Sequence, residues 1–90
     1  MDYDEVGLKE LSLSELKEKA PKEWRRIHDE VYEQAQDEDG YYHSALSDFK
    51  SKSKVHFQID HITSRAKGGL TEVDNLQLLT RWENAEKGVK

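Results

Sequence analysis

The C-terminal half of the 90-residue chain contains four polar residues whose types are suited to one reaction: Asp60, His61, Asn75 and Asn84. A histidine can take a proton from water near neutral pH. Carboxylate and amide oxygens are ligands that a hard divalent cation prefers, and such a cation stabilises negative charge on a phosphate. A base beside a cation site is the machinery needed to hydrolyse a phosphodiester bond.

Two strands and a helix are predicted around these four residues. Apolar and polar side chains alternate over 55–60, which is typical of a half-buried strand whose apolar residues, Val55 first, face inward. A second strand is predicted over 76–80, followed by a helix over 81–87 that Gly88 is expected to end.

Neighbouring residues of a strand point to opposite faces of a sheet. Asp60 and His61 are neighbours, so both can serve one site only if the strand breaks or turns between them. We expect such a break, because a polar loop with a turn at Gly68-Gly69 is predicted over 62–74.

The first half of the chain is predicted to be helical. Ser12 and Glu15 fit a capping box that begins a helix over 13–19. A longer amphipathic helix is predicted over 21–36, and Gly40 is expected to end it.

The segment between the helices and the first strand is less regular. Residues 41–46 fit either a short strand or an irregular segment, and a loop is predicted over 47–54. Among the other histidines, His28 is expected to be partly buried in packing, whereas His43 and His56 are expected at the surface.

Charge is distributed unevenly along a chain whose net charge is −5. Residues 1–49 contain 14 acidic and 6 basic side chains, a balance of −8, whereas residues 50–90 contain 5 acidic and 8 basic ones, a balance of +3. Screening limits exposed charges to a Debye length of ~8–10 Å. A basic face can therefore bind phosphate even on an acidic protein.

The composition excludes several classes of protein. The chain has no Cys, so disulfides, a Cys-ligated zinc site and a thiol nucleophile are excluded. No apolar run approaches the ~20 residues of a membrane span, and the acidic N-terminus lacks the apolar segment of a signal peptide. We therefore expect a cytoplasmic protein that does not bind membranes.

Several separated elements of the C-terminal half resemble the motif of the HNH endonuclease family. The matching elements, in order, are Phe57-Gln58-Ile59-Asp60-His61-Ile62, Lys67-Gly68-Gly69, Asp74-Asn75-Leu76-Gln77-Leu78-Leu79, and Asn84 with Lys87-Gly88. Agreement in both order and spacing is far more specific than any one pair of residues. Each of the four polar residues alone would favour a plain strand end, turn or cap.

The resemblance implies a ββα-metal fold and metal-dependent hydrolysis of DNA. It assigns His61, Asn75 and Asp60 to catalysis: His61 as the general base, and Asn75 as the residue that holds the loop and helps to orient His61. It also assigns Asp60 and Asn84 as ligands of one divalent cation. Mg²⁺ is the expected ion, and Mn²⁺, Ni²⁺ or Zn²⁺ would also suit such a site.

The chain departs from its relatives in two places. Many members of the family bind a structural zinc through paired Cys, and at the start of the last helix Arg81-Trp82-Glu83 stands where such Cys would lie. Thr63-Ser64 occupies the stretch in which a Pro is common. A unit of about 35 residues without zinc is too small to be stable alone. We therefore expect the helix over 21–36 to pack against it, with Trp24 or Trp82 as the anchor.

Basic residues near the four polar ones are candidates for contacts with DNA phosphates, which position a substrate without reading its sequence. The candidates are Arg65 and Lys67 in the loop, Lys87 on the last helix, and Lys50, Lys52 and Lys54 before the first strand. Plainer interpretations stay open: the three clustered lysines keep a loop soluble, and Lys87 is a helix C-terminal charge.

These observations predict an α+β fold in which N-terminal helices pack on a C-terminal ββα-metal unit. The division expected is one domain over 1–90, with an acidic helical region over 1–49 and the HNH motif over 50–90. The predicted function is metal-dependent DNA cleavage, by this chain alone or as the nuclease module of a larger toxin or restriction protein. Two alternatives stay open: a non-catalytic nucleic-acid-binding module, and an interaction protein whose acidic half binds a partner.

Overall fold

Three helices form the first part of the computed structural model, which describes residues 5–88. They are α1 (Glu5–Lys9), α2 (Leu13–Lys19) and α3 (Pro21–Gln34). The predicted capping box is confirmed, because the Glu15 amide donates to the Ser12 hydroxyl and the Ser12 amide donates to the Glu15 carboxylate. Nothing in the sequence pattern predicted α1.

A short hairpin follows α3 and covers part of its end. Strands β1 (Tyr42–His43) and β2 (Lys50–Ser51) pair antiparallel, so the prediction of a loop throughout 47–54 is wrong. The helix ends two residues before the predicted position, since Gln36 already forms a bridge with Tyr42. Gly40, with a φ of 91°, provides the turn between them.

The C-terminal part is a ββα unit, as predicted. Strands β3 (Phe57–His61) and β4 (Leu76–Thr80) pair antiparallel, and α4 (Arg81–Gly88) follows without a gap and includes Gly88. The expected inward position of Val55 is wrong: it lies in a 3₁₀ turn over Lys54–His56 and is 61% exposed. The pairing begins at Phe57 because its partner Thr80 is the last residue of β4.

The core joins the N-terminal helices to this unit. Leu16 of α2, Ile27 and Val31 of α3, and Leu76 of β4 form one buried cluster, and Trp24 packs against it. The predicted packing of the long helix on the ββα unit, with Trp24 as an anchor, is confirmed. Trp82 is 54% exposed and is not an anchor of this cluster.

A continuous aromatic series crosses the molecule from α3 to α4. Its rings follow one another at centroid distances of 4.6–6.2 Å, in the order Trp24, His28, Tyr32, Tyr42, Phe57, Phe49 and Trp82. His28 is partly buried within the series, as expected. None of the helices within residues 5–88 has the length and apolar character needed to cross a membrane.

Candidate functional site

Asp60 lies in a polar cluster between the sheet and α4. It is paired across the sheet with Gln77, whose side-chain amide donates to Oδ2 of Asp60 over 3.1 Å. The ammonium of Lys87 donates to the same carboxylate oxygen and also, over 3.0 Å, to the backbone carbonyl of His61. The Asp60 carboxylate therefore faces α4 and is paired with the positive charge of the Lys87 ammonium.

Asn84 faces the same side of the sheet. Its Nδ2 donates to Oε1 of Gln58 over 2.6 Å, and Gln58 stands two residues before Asp60, on the same face of β3. Lys87 lies three residues after Asn84, so both project from one side of α4. Because the amide nitrogen serves Gln58, the carbonyl oxygen is the atom that Asn84 can offer to a cation.

The side chain of His61 leaves β3 on the opposite face. Pairing continues through Asp60 with Gln77 and His61 with Leu76, so the predicted break between Asp60 and His61 is wrong. The antiparallel ladder holds the backbone extended, and alternation then separates the two side chains.

The ring of His61 is half-buried against the loop that follows. Its Nε2 lies 2.8 Å from the hydroxyl of Thr71. Burial lowers the pKa of His61 below its ordinary value of 6.5, and the charges of Arg65 and Lys87 act in the same direction, whereas Asp60 opposes them. A neutral ring, the form that can accept a proton, is therefore favoured near neutral pH.

Asn75 fastens both ends of the loop between β3 and β4. Its Oδ1 accepts from the Thr63 amide over 2.9 Å, and its Nδ2 donates to the carbonyls of Thr63 and Leu70 over 3.0 and 2.8 Å. The Asn75 carbonyl accepts from the Ile62 amide over 2.8 Å. These bonds fix the backbone directly after His61.

The start of α4 is fixed by residues that the sequence pattern did not single out. Glu83 and Thr80 form a reciprocal cap, with the Thr80 hydroxyl accepting from the Glu83 amide and the Glu83 carboxylate accepting from the Thr80 amide. The Ser44 hydroxyl donates to that carboxylate over 2.6 Å. Burial raises the pKa of Glu83, but hydrogen bonds from Ser44, Ser47 and Thr80 outweigh burial and lower it to about 2. The spacing of Thr80 and Glu83 was the signal available in the sequence.

Comparison with known protein families finds a match to the C-terminal part of the chain. The family model described as HNH endonuclease matches residues 47–86, a segment that contains β3, β4 and most of α4, together with Asp60, His61, Asn75 and Asn84. This segment belongs to the HNH endonuclease family. Neither the curated proteins nor the solved structures contain a match to the chain.

The basic residues proposed from the sequence are distributed over three parts of the C-terminal half: the stretch before β3, the loop after β3, and α4. Lys50 and Lys52 lie over the ring of Tyr41, with ammonium-to-centroid distances of 4.7 and 5.1 Å. Lys54 lies between the rings of Tyr32 and Tyr42, at 5.2 and 5.8 Å. These lysines form a basic and aromatic surface on the hairpin side of the molecule.

The other basic residues belong to the loop and to α4. Arg65 donates to the Glu10 carbonyl over 3.0 Å and lies 3.7 Å from the Glu15 carboxylate. Lys67 is exposed at the end of a 3₁₀ turn over Arg65–Lys67, whereas Lys87 is bound to Asp60. Arg65 thus ties the HNH loop to the N-terminal segment in this structure.

HNH nucleases generally use a divalent metal ion. Among residues 5–88 no three His, Cys, Asp or Glu side chains are close enough to form a metal site by themselves. The atoms on the α4 face are instead one carboxylate, one side-chain amide carbonyl and one backbone carbonyl, from Asp60, Asn84 and His61. Oxygen donors of this kind suit Mg²⁺, which keeps several waters and needs few protein ligands.

Proposed function

We propose that this chain is a metal-dependent endonuclease that hydrolyses phosphodiester bonds of DNA. His61 acts as the general base, and Asp60 and Asn84 hold the divalent cation. One observation carries the proposal: at the end of β3, a carboxylate that holds a cation and a half-buried imidazole whose pKa is lowered stand on opposite faces of one strand.

The contact made by Lys87 supports a cation site at Asp60. An ammonium group bridges Oδ2 of Asp60 and the carbonyl of His61, so these oxygens are arranged around a positive charge. Asp60 and Asn84 would hold a divalent cation there, and its chemistry would be to stabilise the negative charge that develops on the phosphate and on the leaving oxygen. Lys87 would then leave Asp60, and we expect its freed ammonium to contact the phosphate.

The opposite orientation of Asp60 and His61 suits the stereochemistry of the reaction. In a phosphoryl displacement the attacking and leaving oxygens lie roughly in line, on opposite sides of phosphorus. A phosphate placed across the end of β3 has His61 on one side and Asp60 with Asn84 on the other. His61 then takes the proton of the attacking water while the α4 side faces the leaving oxygen.

The basic residues complete the proposal by binding the DNA backbone. Arg65 and Lys67 would contact phosphate from their 3₁₀ turn after β3, Lys87 would do so from α4, and Lys50, Lys52 and Lys54 would do so from the stretch before β3. Contacts with phosphate of this kind give salt-dependent affinity without sequence specificity.

Plasmid nicking tests the proposal. Wild type should nick supercoiled DNA with Mg²⁺, Mn²⁺ or Ni²⁺ and lose this activity in EDTA, and His61→Ala should be at least ~10²-fold slower, the usual contribution of a general base. His56→Ala is the matched control, because His56 is exposed and lies outside the strand. Equal nicking by wild type and His61→Ala, or no nicking with any of the three ions, overturns the proposal.

The cation site has a separate test that does not depend on turnover. Calorimetric titration with Mn²⁺ should show weaker binding to Asn84→Ala than to wild type, while the affinity of both proteins for DNA in EDTA stays the same. Weaker DNA binding with unchanged metal binding would show that Asn84 is not a ligand. DNA binding without cleavage by wild type would favour the non-catalytic binding module.

A further inference from the structure

Thr71 is not one of the HNH motif residues, but it hydrogen-bonds both to His61 and to the N-terminal segment. We call this set of hydrogen bonds the relay. Its hydroxyl donates to the backbone carbonyl of Leu11, and the same oxygen lies 2.8 Å from Nε2 of His61. Thr71 is only 1% exposed, so its hydroxyl has to find its partners within the protein.

The identity of the two partners fixes the direction of both hydrogen bonds. A hydroxyl has a single proton, and the Leu11 carbonyl can only accept. The proton of Thr71 therefore points to Leu11, and its oxygen accepts a proton carried by Nε2 of His61. The reverse arrangement leaves the partly buried Leu11 carbonyl without this hydrogen bond, which is unfavourable.

We propose that Thr71 is a positioning residue that holds neutral His61 in the Nε2–H tautomer, so that Nδ1 is the nitrogen that accepts the proton from water. This inference rests on the proposed function for the role of His61, but the tautomer itself is a property of the folded protein. Thr71 acts through His61 and need not touch the substrate.

The N-terminal segment takes part in this arrangement through three consecutive carbonyls. The Lys9 carbonyl accepts from the Thr71 amide over 2.7 Å, the Glu10 carbonyl accepts from Arg65 over 3.0 Å, and the Leu11 carbonyl accepts from the Thr71 hydroxyl. Residues 9–11 precede the segment that matches the family model. The orientation of the base therefore depends on a part of the chain that lies outside the HNH segment.

The tautomer can be measured directly in the full-length protein without metal or DNA. Two-bond ¹H–¹⁵N correlation spectra at alkaline pH, where imidazoles are neutral, should show His61 as the Nε2–H form in wild type. Thr71→Ser keeps the hydroxyl and should keep this tautomer, whereas Thr71→Val removes the hydroxyl at similar volume and should move His61 toward the tautomer mixture of an exposed histidine. His56, which is exposed, serves as the internal reference.

Two results would overturn the inference: an Nδ1–H ring in wild type, or an unchanged Nε2–H ring in Thr71→Val. If Thr71→Val does not fold, the wild-type spectrum still decides the first of these. Steady-state cleavage provides the second readout: Thr71→Val should lower kcat by ~10-fold or more with little change in KM, because it affects proton transfer and not binding. Thr71→Ser should restore kcat.

The experiments separate this inference from the proposed function. If the Nε2–H tautomer of His61 depends on the Thr71 hydroxyl but the protein cleaves no DNA, the role of Thr71 is supported and the proposed nuclease function is not. The opposite outcome is cleavage that depends on His61 but is unchanged in Thr71→Val, with the same kcat and the same His61 tautomer as wild type. That outcome supports the proposed nuclease function and overturns the role proposed for Thr71.

Discussion

Gly69 and Thr63 approach so closely that a Cβ atom on Gly69 would lie 1.8 Å from the Thr63 carbonyl oxygen. The same atom would lie 2.8 Å from Nδ2 of Asn75. Both neighbours belong to the hydrogen-bonded loop that follows His61, and one of them is backbone. No side chain fits at this position unless the loop opens.

Gly69→Ala should therefore destabilise the protein by about 2–3 kcal/mol, the range expected when an added carbon meets a well-packed backbone. Chemical denaturation would measure the loss. Gly88→Ala is the control, since its Cβ would meet open space on a helix and Ala is the better helix former. Equal stability of Gly69→Ala and wild type would show that the loop is not packed as described.

Asn75→Ala removes three side-chain hydrogen bonds to Thr63 and Leu70. At about 1 kcal/mol each, the expected loss of stability is about 2–3 kcal/mol. Asn75→Asp keeps the acceptor for the Thr63 amide and should lose less. Hydrogen exchange is the sharper readout, because the Thr63 amide should become unprotected in Asn75→Ala but stay protected in Asn75→Asp. Continued protection in the alanine variant would contradict the role given to this side chain.

Deletion of residues 1–40 should abolish cooperative folding of the remainder. Leu76 is 6% exposed in the complete chain, and its buried partners in the core, Leu16, Ile27 and Val31, would all be lost. A unit of about 50 residues with neither disulfide nor structural metal has little core to replace them. Far-UV circular dichroism during heating would test this, and a sharp unfolding transition in the fragment would show that the unit is self-sufficient.

The turn after α3 should make stability sensitive to acid. The hydrogen bond from His43 is the main reason that the pKa of Asp37 is lower than its ordinary value of 3.8, and the amides of Tyr41 and Asp39 assist. A lowered carboxyl pKa stabilises the fold at pH values above the ordinary pKa. This stabilisation is lost as the pH falls through the lower, folded-state pKa.

Asp37→Asn should therefore melt at a lower temperature than wild type near neutral pH, and the difference should shrink as the pH falls through the lowered folded-state pKa of Asp37, where this carboxyl loses its charge. Asp39→Asn, in the same turn, is the matched control and should melt like wild type. A difference between Asp37→Asn and wild type that persists undiminished in acid would assign the effect to shape and not to charge.

Elements with local signals were predicted well from the sequence. The capping box at Ser12 and Glu15 and the bounds of β4 at 76–80 agree with the structure, because each depends on residues adjacent in the chain. The HNH motif was recognisable for the same reason, because its residues all lie within one continuous stretch of the sequence.

Features that depend on distant partners were predicted poorly. Val55 continues the alternating pattern of β3, yet β4 is too short to pair with it. The break expected between Asp60 and His61 was inferred from what the chemistry needs, whereas the ladder with β4 keeps this part of the strand regular. Thr71 has no distinctive sequence context, and its importance appears only when Leu11, 60 residues away, lies beside it.

The aromatic series has a tryptophan at each end, and the fluorescence of these two residues reports on two different parts of the molecule. Trp24 packs on the core of the N-terminal helices, whereas Trp82 is 54% exposed on the first turn of α4. Indole emission shifts to longer wavelength in water, so the two tryptophans contribute bands of different colour and different access to a soluble quencher. Separation of the helices from the HNH segment would change the Trp24 band first, while events at α4 would register in the Trp82 band.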